Sequence, residues 1–450
     1  MPYPCAVSPS VNPFRCERTS SARWLRLPLA IAATALALGC SAGSDQPQSG
    51  KGGSPSNTGG SAGTGNAGGG GGTGNADGGL AGTGGGSAGV GGMGGTAGTV
   101  TLPQTCVPFA DMNQPIQMLS QTGCVSPTDP TTLAPSVVYY EVNSPLWSDG
   151  ADKTRGMALP DGAKIHVVNC SADPSECPGS RDYTDDGKWK LPVGTVMVKS
   201  FLFDGKLLET RLLMHFDATT WAGFTYKWDE AQTDATLEPD QRDEESFSTG
   251  QRTVDWHFPS QDDCTTCHIP DLGYAVNGAE TAQMNRIVGG SNQLDTLQAM
   301  GLFEAPIPTP YKAALVTPTT SQVGSPPASA TTEQLATSYL HANCGFCHRP
   351  PDDVDCTTDP CLDLRNGLPL ASRNICNVTP ATGGFGLTNP VTLAPGHPEL
   401  SVMSIRMKAP ADDSSGHHGR MPLIASYVVD TQATALIDSW ITSVTACPSQ

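Results

Sequence analysis

Between about Val137 and Leu237, apolar and polar residues alternate in short runs rich in Trp, Tyr, Phe and Val, the period-two pattern of half-buried strands. Thr195 to Phe203, then Asp204-Gly205, then Lys206 to His215 predicts a β-hairpin, because an Asp-Gly pair accepts the left-handed backbone of a two-residue turn. Another strand is expected over Trp221 to Trp228. The polar stretch before the hairpin, with Ser148, Asp149, Lys153 and Arg155, could form a polar site, but a solvated turn is the expected reading. From about Asp255 the apolar spacing becomes helical, and a Pro- and Ser/Thr-rich segment, Thr309 to Ala330, divides this part in two. Glu333 to His341 carries Leu335, Ala336, Tyr339 and Leu340 at helical spacing. Near the end, Asp430 can cap a helix from Thr431 to Val444 whose apolar face is Ala433, Leu436, Ile437, Trp440 and Ile441.

The first quarter of the chain has no such pattern. Arg15, Arg18, Arg23 and Arg26 precede an apolar run from Leu27 to Leu38, a charged and then apolar leader too short to stay in a bilayer. The run ends in Ala37-Leu38-Gly39-Cys40, which resembles a bacterial lipoprotein signal and implies cleavage before an acylated Cys40. Ala37 departs from the aliphatic residue usual at that place. From Ser41 to about Thr99 the chain is nearly all Gly, Ser, Ala, Thr and Asn, which bury too little apolar surface to offset backbone entropy. As a flexible tether of ~60 residues it spans roughly 40–45 Å, enough to hold a domain clear of a membrane. Fifteen cysteines point to an oxidising compartment. The formal charge of −18 argues against a nucleic-acid partner, since phosphate binding needs clustered positive charge.

Two pentapeptides carry the chemistry: Cys264-Thr265-Thr266-Cys267-His268 and Cys344-Gly345-Phe346-Cys347-His348. Both have the spacing of covalent haem c attachment, in which two thiols one helical turn apart bond to one porphyrin and the adjacent histidine lies under the iron. Chance would yield on the order of 0.01 such motifs in a chain of this composition. A thioredoxin-like pair would need a βαβ context, and a zinc site would need further Cys or His pairs at matching spacing. Two covalently bound haem c groups are therefore expected, with His268 and His348 as proximal ligands.

Met421, in Arg420-Met421-Pro422-Leu423, lies 73 residues after His348 in a loop stiffened by proline, and is the expected distal ligand of the second haem. Met407, His417 and His418 are its rivals. For the first haem Met284, Met300 and His257 compete with an open or water-bound site, and a packing role is the default for the two methionines.

Tyr140 to Ala151, Leu191 to Thr195, Leu208 to Arg211, Trp256 to Ser260, Asn292 to Leu294, Tyr339 to Cys344 and Pro395 to Ser401 together resemble the segment pattern of a bacterial dihaem c-type cytochrome family. The resemblance covers roughly residues 115 to 445 and implies haem binding and electron transfer, with no implied substrate. Met284 stands where leucine is expected, and insertions around Cys170 to Cys177 and Cys356 to Cys361 depart from the pattern. The helices flanking the second motif resemble the terminal helices of the cytochrome c fold.

The expected fold class is α+β multidomain: an antiparallel β module followed by mainly α-helical, cytochrome c-like haem domains. The expected order is a lipoprotein-type signal peptide over 1–39, a tether over 40–100, the β-rich module over 101–250, a first haem segment over 251–308 and the cytochrome c-like domain over 331–450. Removing Cys5, Cys16, Cys40 and the four motif cysteines leaves Cys106, Cys124, Cys170, Cys177, Cys356, Cys361, Cys376 and Cys447, an even number that suits disulfides. Short separations suggest 106–124, 170–177 and 356–361, leaving 376 with 447, although sequence alone leaves the pairing open.

The functional expectation is an exported electron carrier, periplasmic or on the cell surface and held to the outer membrane by lipid, whose partners are a redox protein or a small-molecule electron donor or acceptor. One alternative is a peroxidase-like or small-molecule oxidoreductase enzyme using the first haem. Another is a surface interaction module with accessory haems.

Overall fold

The predicted hairpin lies at the centre of a six-stranded antiparallel sheet in the computed structural model. The structure describes residues 106–176, 186–239, 243–248, 253–268, 276–318, 327–349, 362–381, 383–410, 419–422 and 426–448. The expected leader, Cys40, the whole of the tether, and Cys177, Cys356, Cys361, His417 and His418 lie outside the described residues.

The sheet is built from β1 (Val138–Tyr139), β2 (Asp152–Ala158), β5 (Val196–Phe203), β6 (Lys206–His215), β7 (Trp221–Trp228) and β8 (Ala235–Leu237), in the order β1-β2-β5-β6-β7-β8. Two short strands between β2 and β5, β3 (His166–Val167) and β4 (Trp189–Lys190), pair only with each other. Asp204 and Gly205 both take left-handed backbone, φ 50° and 81°, as the Asp-Gly turn predicts.

Period-two alternation divides the sheet into two buried faces. The outer face, with Val196, Val198, Leu212, Met214, Phe224 and Tyr226, is covered by Cys106, Phe109, Leu119, Cys124 and Val137 from the preceding segment. The inner face carries Met157, Met197 and Leu213, which pack against Trp189, Leu294, Leu297 and Phe303. At the other end of that face Phe201 meets Trp256 and Phe258. These aromatics come from a separate hairpin, β9 (Asp243–Ser248) and β10 (Thr253–Phe258), which delivers the chain to the first Cys-x-x-Cys-His.

The remaining elements are short: α1 (Gln261–Cys267), α2 (Thr281–Met284), the strand pair β11 (Ile287–Val288) and β12 (Ser291–Asn292), α3 (Gln293–Ala299), α4 (Thr332–Asn343), α5 (Val402–Lys408) and α6 (Thr431–Ser443). Both sequence-predicted helices form. Thr331 and Gln334 make a capping box at α4, and the Asp430 carboxylate accepts the Ala433 N–H at 2.9 Å at α6. Ala336, Tyr339 and Leu340 pack against Ala433, Ile437, Trp440 and Ile441.

The expected mainly α-helical, cytochrome c-like domains are nevertheless absent from the described residues, where antiparallel sheet dominates and helices are few. Local backbone chemistry explains this. Between α4 and α5, Pro369, Pro380, Pro390 and Pro395 interrupt the chain, while Asn374, Asn377, Phe385 and Asn389 take positive φ, which a helix cannot accommodate. That stretch is joined by isolated bridges, Cys376 with Leu393 and Val391 with Ser401.

The described residues belong to one compact unit. The segment Asn143–Gly150 is its hub. Asn143 Nδ2 donates to the carbonyls of Ala282 at 3.0 Å and Asn285 at 3.1 Å. Ser144 Oγ donates to Ser338 O at 3.0 Å, the Trp147 N–H to Asn343 Oδ1 at 2.6 Å, and Trp147 Nε1 to Val428 O at 2.9 Å. The expected solvated turn is thus a correction: Ser148 and Asp149 are buried, because the carboxylate of Asp149 accepts the Val428 N–H at 2.7 Å and ties the sheet to the loop before α6. Disulfides join Cys106 to Cys124 and Cys376 to Cys447, and Cys170 is also disulfide-bonded.

Candidate haem attachment sites

The first motif is positioned by a cap on a short helix. Pro259 ends β10, its carbonyl accepting Thr225 Oγ1 of β7 at 2.9 Å, and Ser260 then caps α1 in a box with Asp263. Cys264 and Cys267 fall one turn apart, and the His268 N–H closes the turn on Cys264 O at 2.9 Å. The second motif continues from α4. There the Cys344 N–H donates to Leu340 O at 2.8 Å and the His348 N–H to Cys344 O at 2.8 Å. The two pentapeptides therefore share one local turn, reached by different routes. Gly345 is required by close packing, since a Cβ there would come within 2.9 Å of His341 O and 3.2 Å of Leu364 O.

Tertiary packing brings the two motifs together, although 80 positions separate Cys267 from Cys347. The neighbouring Cys347 thiol, ahead of the attraction of Arg211 and Lys199, holds the Cys267 thiol below its ordinary pKa despite burial. Burial pushes Cys264 up to about 11 and Cys344 up to about 12. All four cysteines keep partial solvent exposure, Cys344 at the edge of the α4–α6 core. They are also the described cysteines that form no disulfide; the others are bonded.

The first motif lies against the inner face of the sheet. A Cβ on Gly223 of β7 would approach Cys264 Sγ to 2.5 Å and Cys264 Cβ to 2.8 Å, so the missing side chain makes room for the cysteine. Arg211 attracts the thiolates of both Cys264 and Cys267, and Lys199 that of Cys267. The two motif segments are further linked by a buried carboxylate. Glu280 accepts from His341 Nε2 at 2.6 Å and lies 3.2 Å from Lys188 Nζ. Nδ1 of His341 accepts the Asn366 N–H at 3.0 Å, which places the ring proton on Nε2. His341 and Lys188 together outweigh burial and hold the Glu280 carboxyl well below the usual range.

No family model, curated protein or solved structure matches the chain.

The expected distal ligands separate in the structure. Met421 is partly exposed on the loop between α5 and α6, its N–H donating to Arg406 O at 3.2 Å, while Arg420 beside it donates to the carbonyls of Ala409, Ser426 and Tyr427. Met407 is buried on α5 in the core between α4 and α6. Met284 is fully buried among Leu294, Leu297 and Met197, and its sulfur accepts Gln293 Nε2 at 3.3 Å, so the structure engages it as a packing residue. Met300 flanks the same cluster. His257 is buried with Nε2 3.3 Å from the Asp263 carboxylate, which orients it toward the start of α1.

Among the described residues no three His, Cys, Asp or Glu side chains converge as a metal cluster, so the four thiols do not make a zinc tetrahedron. What the arrangement offers is a thiol–thiol–imidazole set, twice, which is the donor set that covalent porphyrin attachment requires.

Sequence reasoning missed Gly223, the Glu280–His341 link and the cations Lys199 and Arg211. One signal was present: in Val196 to Phe203 the charge of Lys199 falls on the same face as Met197 and Phe201, a polar residue at an inward position.

Proposed function

We propose that the chain is an exported dihaem c-type cytochrome that passes electrons between redox partners outside the cytoplasm. One haem would be held by Cys264, Cys267 and His268, the other by Cys344, Cys347 and His348. When bound, the group supplies a one-electron iron couple whose potential the protein sets through ligands, burial and nearby charge. The four thiols would supply the sulfur and the proton of each thioether link, an addition that would consume no oxidant.

The observation that carries the reading is the contact between Cys267 and Cys347. Two independent cofactor domains would have no need for it, whereas neighbouring attachment points favour electron exchange between the two groups they would hold. The bonded Cys106–Cys124 and Cys376–Cys447 pairs support an oxidising compartment and thus export through residues 1–39, with lipid attachment at Cys40. The anchored loop at Arg420 supports Met421 as the sixth ligand of the second haem.

The test is expression of the exported chain with haem-maturation machinery, followed by alkaline pyridine haemochrome and intact-mass measurement. Two thioether-linked haems per polypeptide are expected. A chain that carries no haem and yields Cys267 and Cys347 as a disulfide would replace this reading with a thiol redox pair.

A further inference from the structure

The inner face of the sheet is crossed by a row of cations. Arg155 on β2 is paired in register with Lys199 on β5, and Lys199 with Arg211 on β6. The rows on either side are Lys153–Phe201–Glu209 and Met157–Met197–Leu213, and the apolar members of these rows belong to the two cores of that face. Three like charges on adjacent strands repel one another, and their placement between two apolar clusters adds a desolvation cost. The cost is unusual in a chain whose formal charge is −18.

Internal compensation is incomplete. Arg211 is paired with Glu209, which also accepts Trp256 Nε1 at 2.9 Å. Arg155 and Lys199 have no carboxylate within ion-pair distance among the described residues; Lys199 Nζ lies instead 4.9 Å from the centre of the Phe201 ring. Two cations thus remain for a group of opposite sign.

The row begins beside the first motif. Cys264 rests on Gly223 of β7, the strand next to β6, and both motif thiolates feel Arg211. From β7 to β2 the sheet extends three strand spacings, roughly 14 Å, comparable to the width of a porphyrin from its vinyl edge to its carboxylate edge. We infer that Arg155 and Lys199, the members of this row without a carboxylate partner among the described residues, form an anion site that neutralises the carboxylates of the porphyrin attached at Cys264 and Cys267, while Arg211 stays with Glu209 beside the thiols. This rests on the haem reading above, and it assigns Arg155 and Lys199 as positioning and potential-setting groups.

The experiment compares the haem-loaded full chain with Arg155→Gln/Lys199→Gln, leaving Arg211 and its Glu209 partner in place, and with Lys199→Arg as the charge-preserving control. Haem content is read by pyridine haemochrome and both potentials by spectroelectrochemical titration. Two haems per chain are expected in every variant, since the thioethers remain. One of the two potentials should fall in the double variant, by about tenfold in the oxidised-to-reduced ratio per charge removed, or 59 mV for a one-electron couple. Lys199→Arg should leave it near the wild-type value.

Two haems with both potentials unmoved would overturn the inference and leave the haem reading intact, whereas absence of haem from the wild type would sink the reading beneath it. A wild-type potential that responds to added phosphate at constant ionic strength, with the response lost in the double variant, would assign the row to a free anion and also overturn it. Should the double variant not accumulate, the wild type still decides: carboxylates held by this row keep the potential flat with pH across the neutral range, and a bend there would refute the assignment.

Discussion

Replacing Gly223 by alanine tests whether the first motif is seated on the sheet as described. The new methyl carbon would stand 2.5 Å from Cys264 Sγ and 2.8 Å from Cys264 Cβ, distances at which either β7 or α1 must move. Neither moves freely. Gly223 is buried in the β6–β7 ladder opposite Leu213, and α1 is held by the Thr225–Pro259 bond and the Ser260 capping box. Overpacking of this kind costs about 1–3 kcal/mol. With a guanidinium slope of about 5 kcal/mol/M, the unfolding midpoint should fall by roughly 0.2–0.6 M at unchanged slope. Strand propensity works in the opposite direction, since alanine is ordinarily less costly than glycine in an element interior, so a net loss would report the clash. The assay is equilibrium denaturation of the haem-loaded chain, with haem content measured in parallel. Equal or greater stability together with full haem loading would show that Cys264 does not rest on Gly223.

Three further outcomes are expected. Burial raises Asp149 from its ordinary 3.8 to about 6, so the folded protein holds a proton that the unfolded chain releases, and this stabilisation is present at low pH and lost as pH rises from about 4 to 6. Asp149→Asn, which keeps the acceptor for Val428, should therefore gain about 3 kcal/mol relative to wild type between those limits, read from urea midpoints across pH; a constant difference would refute the buried charge. Glu280→Gln should cost about 3 kcal/mol at neutral pH by leaving Lys188 unpaired. Because that carboxyl is held low, the wild-type advantage is present above about 4.5 and must shrink as pH falls, the opposite sign to Asp149, which the same titration series checks. Met421→Ala should keep two haems per chain but lower one potential and lose its methionine-ligand spectrum; an unchanged spectrum would return the ligand question to the rival side chains.

Much of the β module was legible because its determinants are short-range. Alternation assigns a face within a few residues, and Asp204-Gly205 closes a hairpin through its own backbone preference. The Thr331 and Asp430 caps are equally local. The mainly helical reading of the half that carries the two Cys-x-x-Cys-His motifs failed because two well-formed helices, α4 and α6, were extended to the whole of it, while proline and positive-φ asparagine between them govern the intervening chain. Ser148 and Asp149 looked like a solvated turn because their polarity was visible and their burying partner, Val428, lay 279 positions away.

From sequence alone came the thiol and imidazole donors of both motifs, since the chemistry of Cys-x-x-Cys-His is complete within five residues. Tertiary structure alone decided that Cys267 meets Cys347, that Gly223 yields space to Cys264, that Glu280 joins one motif segment to the other, and that Arg155, Lys199 and Arg211 line up in register. The physical reason is range: covalent spacing and backbone preference are fixed along the chain, whereas burial, register and the field at a thiol depend on which distant strands and helices come to lie against it.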